Sequence, residues 1–200
     1  MIEKYSFKGS ENTGFYTVAT NSYILVPPDY REKEFFETDV VETKINKTNL
    51  VGLFSAGNSN CLLVPREISQ IEQDKLDESG INYKVIDSNY NALGNLILCN
   101  DHGAVISEKI SEYRKEISEA LEVDVEVADI KGLNPGVSGV ANSQGAVIHR
   151  DASEQDAITV KEALGLEDID IGTVNMGSPF TGSGATANDN HLLTGEKTTG

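Results

Sequence analysis

The stretch Ala56-Gly57-Asn58-Ser59-Asn60-Cys61-Leu62-Leu63-Val64-Pro65 returns four more times in altered form, and this recurrence limits the possible folds more than any other feature. The other copies begin at Ala19, Leu98, Val140 and Thr186. Each places an Asn, followed by Ser or Asp, just before a short apolar run. The asparagines Asn21, Asn58, Asn100, Asn142 and Asn188 lie 37, 42, 42 and 46 positions apart. A period in that range marks a repeat architecture. The spacing predicts one domain of five similar units: 1-45, 46-87, 88-130, 131-174, and 175-200 together with an N-terminal strand.

The segment after each copy is repeated as well. Apolar residues three or four apart predict helices after copy two (Ile68, Ile71, Leu76), copy three (Ile110, Tyr113, Ile117, Ala120, Leu121) and copy four (Ala157, Val160, Ala163, Leu164). Ser153 with Asp156 three residues on is a variant capping box. Strands are then predicted at Tyr83 to Ile86, Asp124 to Val127 and Asp168 to Ile171, the last two alternating acid and aliphatic. Unit one keeps a short helical piece near Tyr30 to Phe36, followed by Val40 to Ile45. Such a unit is too small to bury its own apolar face, so neighbours must cover it. The expectation is an α+β protein built as a closed, five-fold pseudo-symmetric α/β propeller, with Ile2 to Phe7 adding a strand to unit five. An Asn before Ser or Asp suits a tight turn because its side chain bonds nearby backbone.

A net charge of -16 argues against gripping nucleic acid mainly through phosphates and favours a basic partner. The 12 Lys and 4 Arg are outnumbered by acids spread along the chain, which reads as solvated helix faces. No apolar run reaches membrane-spanning length, and Met1-Ile2-Glu3-Lys4 does not open a signal peptide, so an intracellular protein is expected. Cys61 takes the repeat slot of Gly103 and Gly145, and Cys99 that of Gly57, Ala141 and Ala187; both read as small packing residues. His102, His149 and His191 fall at three different repeat positions and form no symmetric cluster. The Gly-rich run Gly177 to Gly184 lacks the Gly-Lys pair of a phosphate-binding loop.

Several separate motifs, in order along the whole chain, resemble the translation initiation factor 6 family in its archaeal form. They are Ala92-Leu93-Gly94-Asn95 with Cys99-Asn100-Asp101, Gly57-Asn58-Ser59 with Leu62-Leu63-Val64-Pro65, Asn142-Ser143-Gln144-Gly145, and Gly172-Thr173-Val174-Asn175 with Gly177-Ser178. The resemblance implies the five-unit pentein fold. It implies a cytoplasmic monomer, without metal or other cofactor, that acts without chemistry and has no membrane or DNA partner. It implies binding to the large ribosomal subunit, beside a basic ribosomal protein and the sarcin-ricin loop, where a bound factor blocks joining of the small subunit and takes part in large-subunit biogenesis.

Asn95 lies five positions before Asn100, and the same slot elsewhere reads Tyr16, Leu53, Val137 and Ser183. Five-fold symmetry puts such residues on one rim. On the resemblance, the expected contact residues are Leu53, Gly94, Asn95, Asp101 and Val137, with Asn175, Gly177 and Ser178 beside them. The chain departs from the family at Met176, where Arg is usual, and at Gly200, beyond which the family continues into a helix completing unit five. The rival readings are a pentein enzyme acting on guanidino groups through a nucleophilic Cys and a non-ribosomal interaction scaffold.

Overall fold

A computed structural model describes residues 1–199; Gly200, the end of the fifth expected unit, lies outside the described residues. After β1 (Ile2–Lys4), the first sheet holds β2 (Val18–Ala19), β3 (Tyr23–Val26) and β4 (Asp39–Glu42). The second unit runs α1 (Val51–Phe54), β5 (Ala56–Gly57), β6 (Leu62–Pro65), α2 (Gln70–Ser79) and β7 (Tyr83–Ile86). The third runs α3 (Leu93–Leu96), β8 (Ile97–Cys99), β9 (Gly103–Ile106), α4 (Arg114–Leu121) and β10 (Asp124–Val127). The fourth repeats this as α5 (Pro135–Ser138), β11 (Gly139–Ala141), β12 (Gly145–His149), α6 (Glu154–Ala163) and β13 (Asp168–Gly172). The fifth holds α7 (Thr181–Gly184), β14 (Ala185–Ala187) and β15 (Leu192–Thr194). Its third strand is β1, parallel to β15 with Ile2 opposite Leu192, so the opening segment does join the last unit.

The result is a mixed α/β protein of five three-stranded sheets, consistent with the five-fold, pentein-like repeat. In each sheet a tight turn joins two antiparallel strands, and the third strand runs parallel to the middle one. The geometry dictates that order, because antiparallel neighbours need only a turn whereas parallel ones need a long crossover. In units two to four that crossover carries α2, α4 or α6; unit one uses a 3-10 segment, Glu32–Phe36.

Each crossover fills the seam between its own sheet and the preceding one. Leu76 of α2 clusters with Leu25 and Val64; Ile117 and Leu121 of α4 with Leu63; Val160 and Leu164 of α6 with Val105; and Phe36 with Leu193. Ser153 caps α6 as expected, its hydroxyl accepting from Asp156 N at 3.1 Å. Ser69 caps α2 similarly, and Glu72 also accepts from Lys47 N at 2.6 Å, tying the helix to the turn entering unit two. Two helical expectations change. Ile71 is not on the buried face of α2 but 77% exposed, because Ile68 and Leu76 already fill that seam. The third helix begins as a 3-10 segment, Glu108–Tyr113, irregular at the buried Ile110, and becomes regular only from Arg114.

The four-residue helices α1, α3, α5 and α7, with the 3-10 turn Thr13–Phe15, contact one another in a closed cycle. Gly14, Gly52, Gly94, Gly136 and Gly182 make this possible. A Cβ built on any of them would sit on the carbonyl oxygen of the preceding unit's glycine, nearer than real Cβ atoms approach a neighbour. Backbone blocks the space, so no rotamer change would relieve it. Gly94→Ala should therefore destabilise the fold by about 3 kcal/mol or more, the upper range for overpacking. Gly80→Ala, at a helix end with φ +75° and open space around it, should cost only about 1 kcal/mol. Urea titrations of the two variants check the contrast.

Candidate functional site

The first strands of the sheets connect two rings of backbone. At one end lie the repeated turns. Asn58 Oδ1 accepts from Asn60 N and Cys61 N at 3.1 and 3.2 Å, while its Nδ2 donates to Asn100 O at 3.3 Å and Leu121 O at 2.9 Å. Asn100 repeats the pattern, accepting from His102 N and Gly103 N and donating to Asn142 O and Leu164 O, all four at 2.9 Å. Asn142 donates to Asn188 O at 3.1 Å, and Asn188 to Thr20 O and Phe36 O, each at 3.3 Å. Each amide thus reaches the next unit, so these side chains serve the fold rather than a ligand. The cavity they enclose, about 20 Å³, is large enough for a single water.

The fifth member is Thr20, not Asn21. The Thr20 hydroxyl accepts from Ser22 N at 3.2 Å and Tyr23 N at 2.9 Å, closing the turn as an asparagine would. Asn21 occupies the next slot, with Ser59, Asp101, Ser143 and Asp189. There its Nδ2 bridges Asp101 Oδ2 at 2.8 Å and Asp189 Oδ2 at 2.9 Å. Ser59 N and Oγ both donate to Asp101 at 2.8 Å.

At the other end lies the glycine ring. Correcting unit one by one residue makes Phe15, not Tyr16, the counterpart of Leu53, Asn95, Val137 and Ser183. Tyr16 follows that turn and packs on Phe7 with ring centroids 4.9 Å apart. Phe15, Leu53, Asn95 and Val137 are half-buried, whereas Ser183 is buried and donates to Phe180 O at 2.9 Å. The structure therefore brings Leu53, Gly94, Asn95 and Val137 onto one rim and sets Asp101 at the opposite end of β8. Asn175, Gly177 and Ser178 form the turn between β13 and α7, at the rim end. Asn175 is occupied there, donating from Nδ2 to Glu11 O at 2.8 Å and accepting from Thr198 Oγ1 at 3.0 Å. Gly177 takes φ +97° in open space, and Ser178 N donates to Val174 O at 2.7 Å.

Sequence reasoning missed what the equivalent turns carry. Bridges Phe7–Ser10, Ile45–Thr48 and Ile130–Leu133 close them, with Lys8, Lys47 and Lys131 at positive φ and exposed. Met176 takes the corresponding place in the fourth such turn and is 79% exposed. The signal was available as a Lys or Met placed before or after Gly or Asn ahead of each helical turn. By contrast Asp39, Glu42, Asp124, Glu126, Asp168 and Asp170 lie exposed on the third strands.

Neither cysteine is poised as a nucleophile. Burial, and secondarily the Asp101 charge, pushes the Cys99 thiol up to about 12, and burial pushes Cys61 up to about 11. Cys99 Sγ donates to Gly57 O at 3.2 Å. Among the described residues the histidines engage other groups: His149 Nδ1 accepts from Asp151 N at 3.2 Å, and the His191 ring packs against Phe35.

Comparison with known proteins agrees with this geometry. The model of the eIF-6 family matches residues 2–200. The chain belongs to the eIF-6 family. Its relatives include translation initiation factor 6 of Pyrococcus abyssi, 36% identical over 100% of this chain and 93% of that protein. The counterpart in Staphylothermus marinus is 37% identical over 100% and 92%, and that in Methanosarcina mazei 32% identical over 100% and 94%. Family membership supports a role in translation initiation. No described helix is long and apolar enough to cross a membrane.

Because Asn100 is buried and makes four bonds, Asn100→Ala should cost about 3 kcal/mol. Asn142→Ala, at a half-exposed turn with fewer bonds, should cost less than half of that. Chemical denaturation of both variants reads the difference.

Proposed function

We propose that the protein binds the large ribosomal subunit on its intersubunit face and keeps the small subunit from joining by occupying space. The observation that carries this reading is the rim. In a chain of net charge -16, Phe15, Leu53, Asn95 and Val137 form an uncharged, half-exposed ring with Lys8, Lys47 and Lys131 at its margin. Long-range attraction to bulk ribosomal RNA is unfavourable for so acidic a molecule. Steering by a basic ribosomal protein, and short-range fit at a neutral patch, suit it better. The marginal lysines suit phosphates of the sarcin-ricin loop. Leu53, Gly94, Asn95 and Val137 are the proposed protein contacts, with Gly177 and Ser178 at the edge. Asp101, at the far end of β8, belongs instead to the axial turn network, and Asn175 to the tail contact. The five units act as one monomeric domain in the cytoplasm, and large-subunit biogenesis is an accompanying role.

Asn95→Arg or Val137→Glu should weaken co-sedimentation with isolated large subunits about tenfold or more while leaving the unfolding transition in place, since both side chains are half-exposed. Wild-type protein should keep purified large and small subunits apart on a sucrose gradient. Subunits that join normally at saturating protein would refute the reading, and undiminished binding by both variants would move the contact to another face.

A further inference from the structure

The fifth seam is built like the other four and lies open. In each repeat the aliphatic residue five positions after the turn Asn or Thr faces the crossover of the next unit. Leu25, Leu63, Val105 and Leu193 are each 0% exposed beneath α2, α4, α6 and the Glu32–Phe36 segment. Val147, at the same position in β12, is 37% exposed. It lines a groove of about 520 Å³ between the fourth and fifth sheets, with Val140, Gly145 and Asp170 on one wall and Ala187 and Leu192 on the other.

Two further details specify what the groove is shaped for. Asn58, Asn100 and Asn188 each give one amide proton to the next unit's turn and the other to the carbonyl ending its crossover, at Leu121, Leu164 and Phe36. Asn142 makes only the first of these bonds. Among the described residues its second proton has no acceptor. Gly103 lies so close to the end of α6 that a Cβ there would strike the Ala163 carbonyl. Gly145, its repeat counterpart, has the same missing side chain, but the nearest atom to a Cβ is Asp168 O at 3.1 Å. Residues after β15 do not enter the seam, since Lys197 O accepts from Met176 N at 3.1 Å and Thr198 is bonded to Asn175.

We infer that this groove binds a short amphipathic, basic α-helix presented by a partner protein, seated as α2, α4 and α6 sit in their own seams. Its C-terminal carbonyl accepts the second Asn142 proton, and its aliphatic stripe covers Val147. The charge is set by an internal precedent. Lys84, opposite Leu63 on β7, pairs with Glu116 of α4 at 2.9 Å across the second seam. Asp170 holds that place opposite Val147, with exposed Asp168 two residues before it, so the flanks of the incoming helix carry Lys or Arg. The length is that of α2 and α6, 10 residues.

The test is fluorescence anisotropy of the whole protein with a labelled, amidated peptide of about 12 residues. The peptide carries Leu at helical spacing flanked by Lys, and a control has every Lys replaced by Glu. The Lys peptide should bind and the Glu peptide should not. Val147→Glu should lower affinity at least about tenfold, and Asp170→Lys should reverse the preference between peptides. Both positions are exposed, so an unchanged unfolding transition separates lost docking from lost folding. Failure of the Lys peptide to bind, or equal binding to wild type and Val147→Glu, overturns the inference. Self-association abolished by Val147→Glu, without peptide binding, also overturns it by giving the groove to a second copy.

Discussion

The structure depends on backbone meeting backbone around the axis. Five glycines let five helical turns touch at a distance that no side chain permits, and at the other end the turn amides reach carbonyls of neighbouring units. Such contacts are demanding. A buried backbone group must be paired, and an amide side chain that satisfies two carbonyls at once fixes the angle between units more tightly than apolar packing alone. Apolar burial then accumulates in the seams, where each crossover covers the sheet before it. The unit boundaries in space are therefore not those in sequence: the apolar clusters straddle neighbouring repeats, and the last sheet is completed by the first strand.

This arrangement sorts chemistry by position. Third strands, which are sheet edges, carry acids that discourage pairing with other chains. The glycine end has no room for charge at its centre, and its half-exposed Phe, Leu, Asn and Val side chains make it the least acidic surface of the molecule. Basic residues appear only outside that ring, on turns whose positive φ holds them clear of the fold. A factor that works by occupying space needs a stiff body and one neutral face, and both arise from the same five-fold packing.

The repeat period, the order of elements and the added N-terminal strand were legible in the sequence because they depend on spacing alone. The register of unit one was not. Thr20 does an asparagine's work through a hydroxyl, and the neighbouring Asn21 is the more conspicuous residue. That single shift misplaced Tyr16 for Phe15. The glycine ring was visible as a Gly six positions before each turn residue, yet it emerges only once unit one is aligned on Thr20. Ile71 fits the helical period but points outward, because periodicity cannot tell which of two adjacent stripes a neighbour will cover. Asp101 and Asn95 are close in the chain but at opposite ends of a strand, so proximity in sequence overstated their connection.

The claim that the axis locks the repeats into one cooperative body is tested most directly by native-state hydrogen exchange at the turn amides that Thr20 and the asparagines accept. The amides of Tyr23, Cys61, Gly103 and His191 should exchange together, at the rate set by global unfolding. Exchange of any one of them through a separate, lower-energy opening would show that the units come apart singly and would contradict the claim.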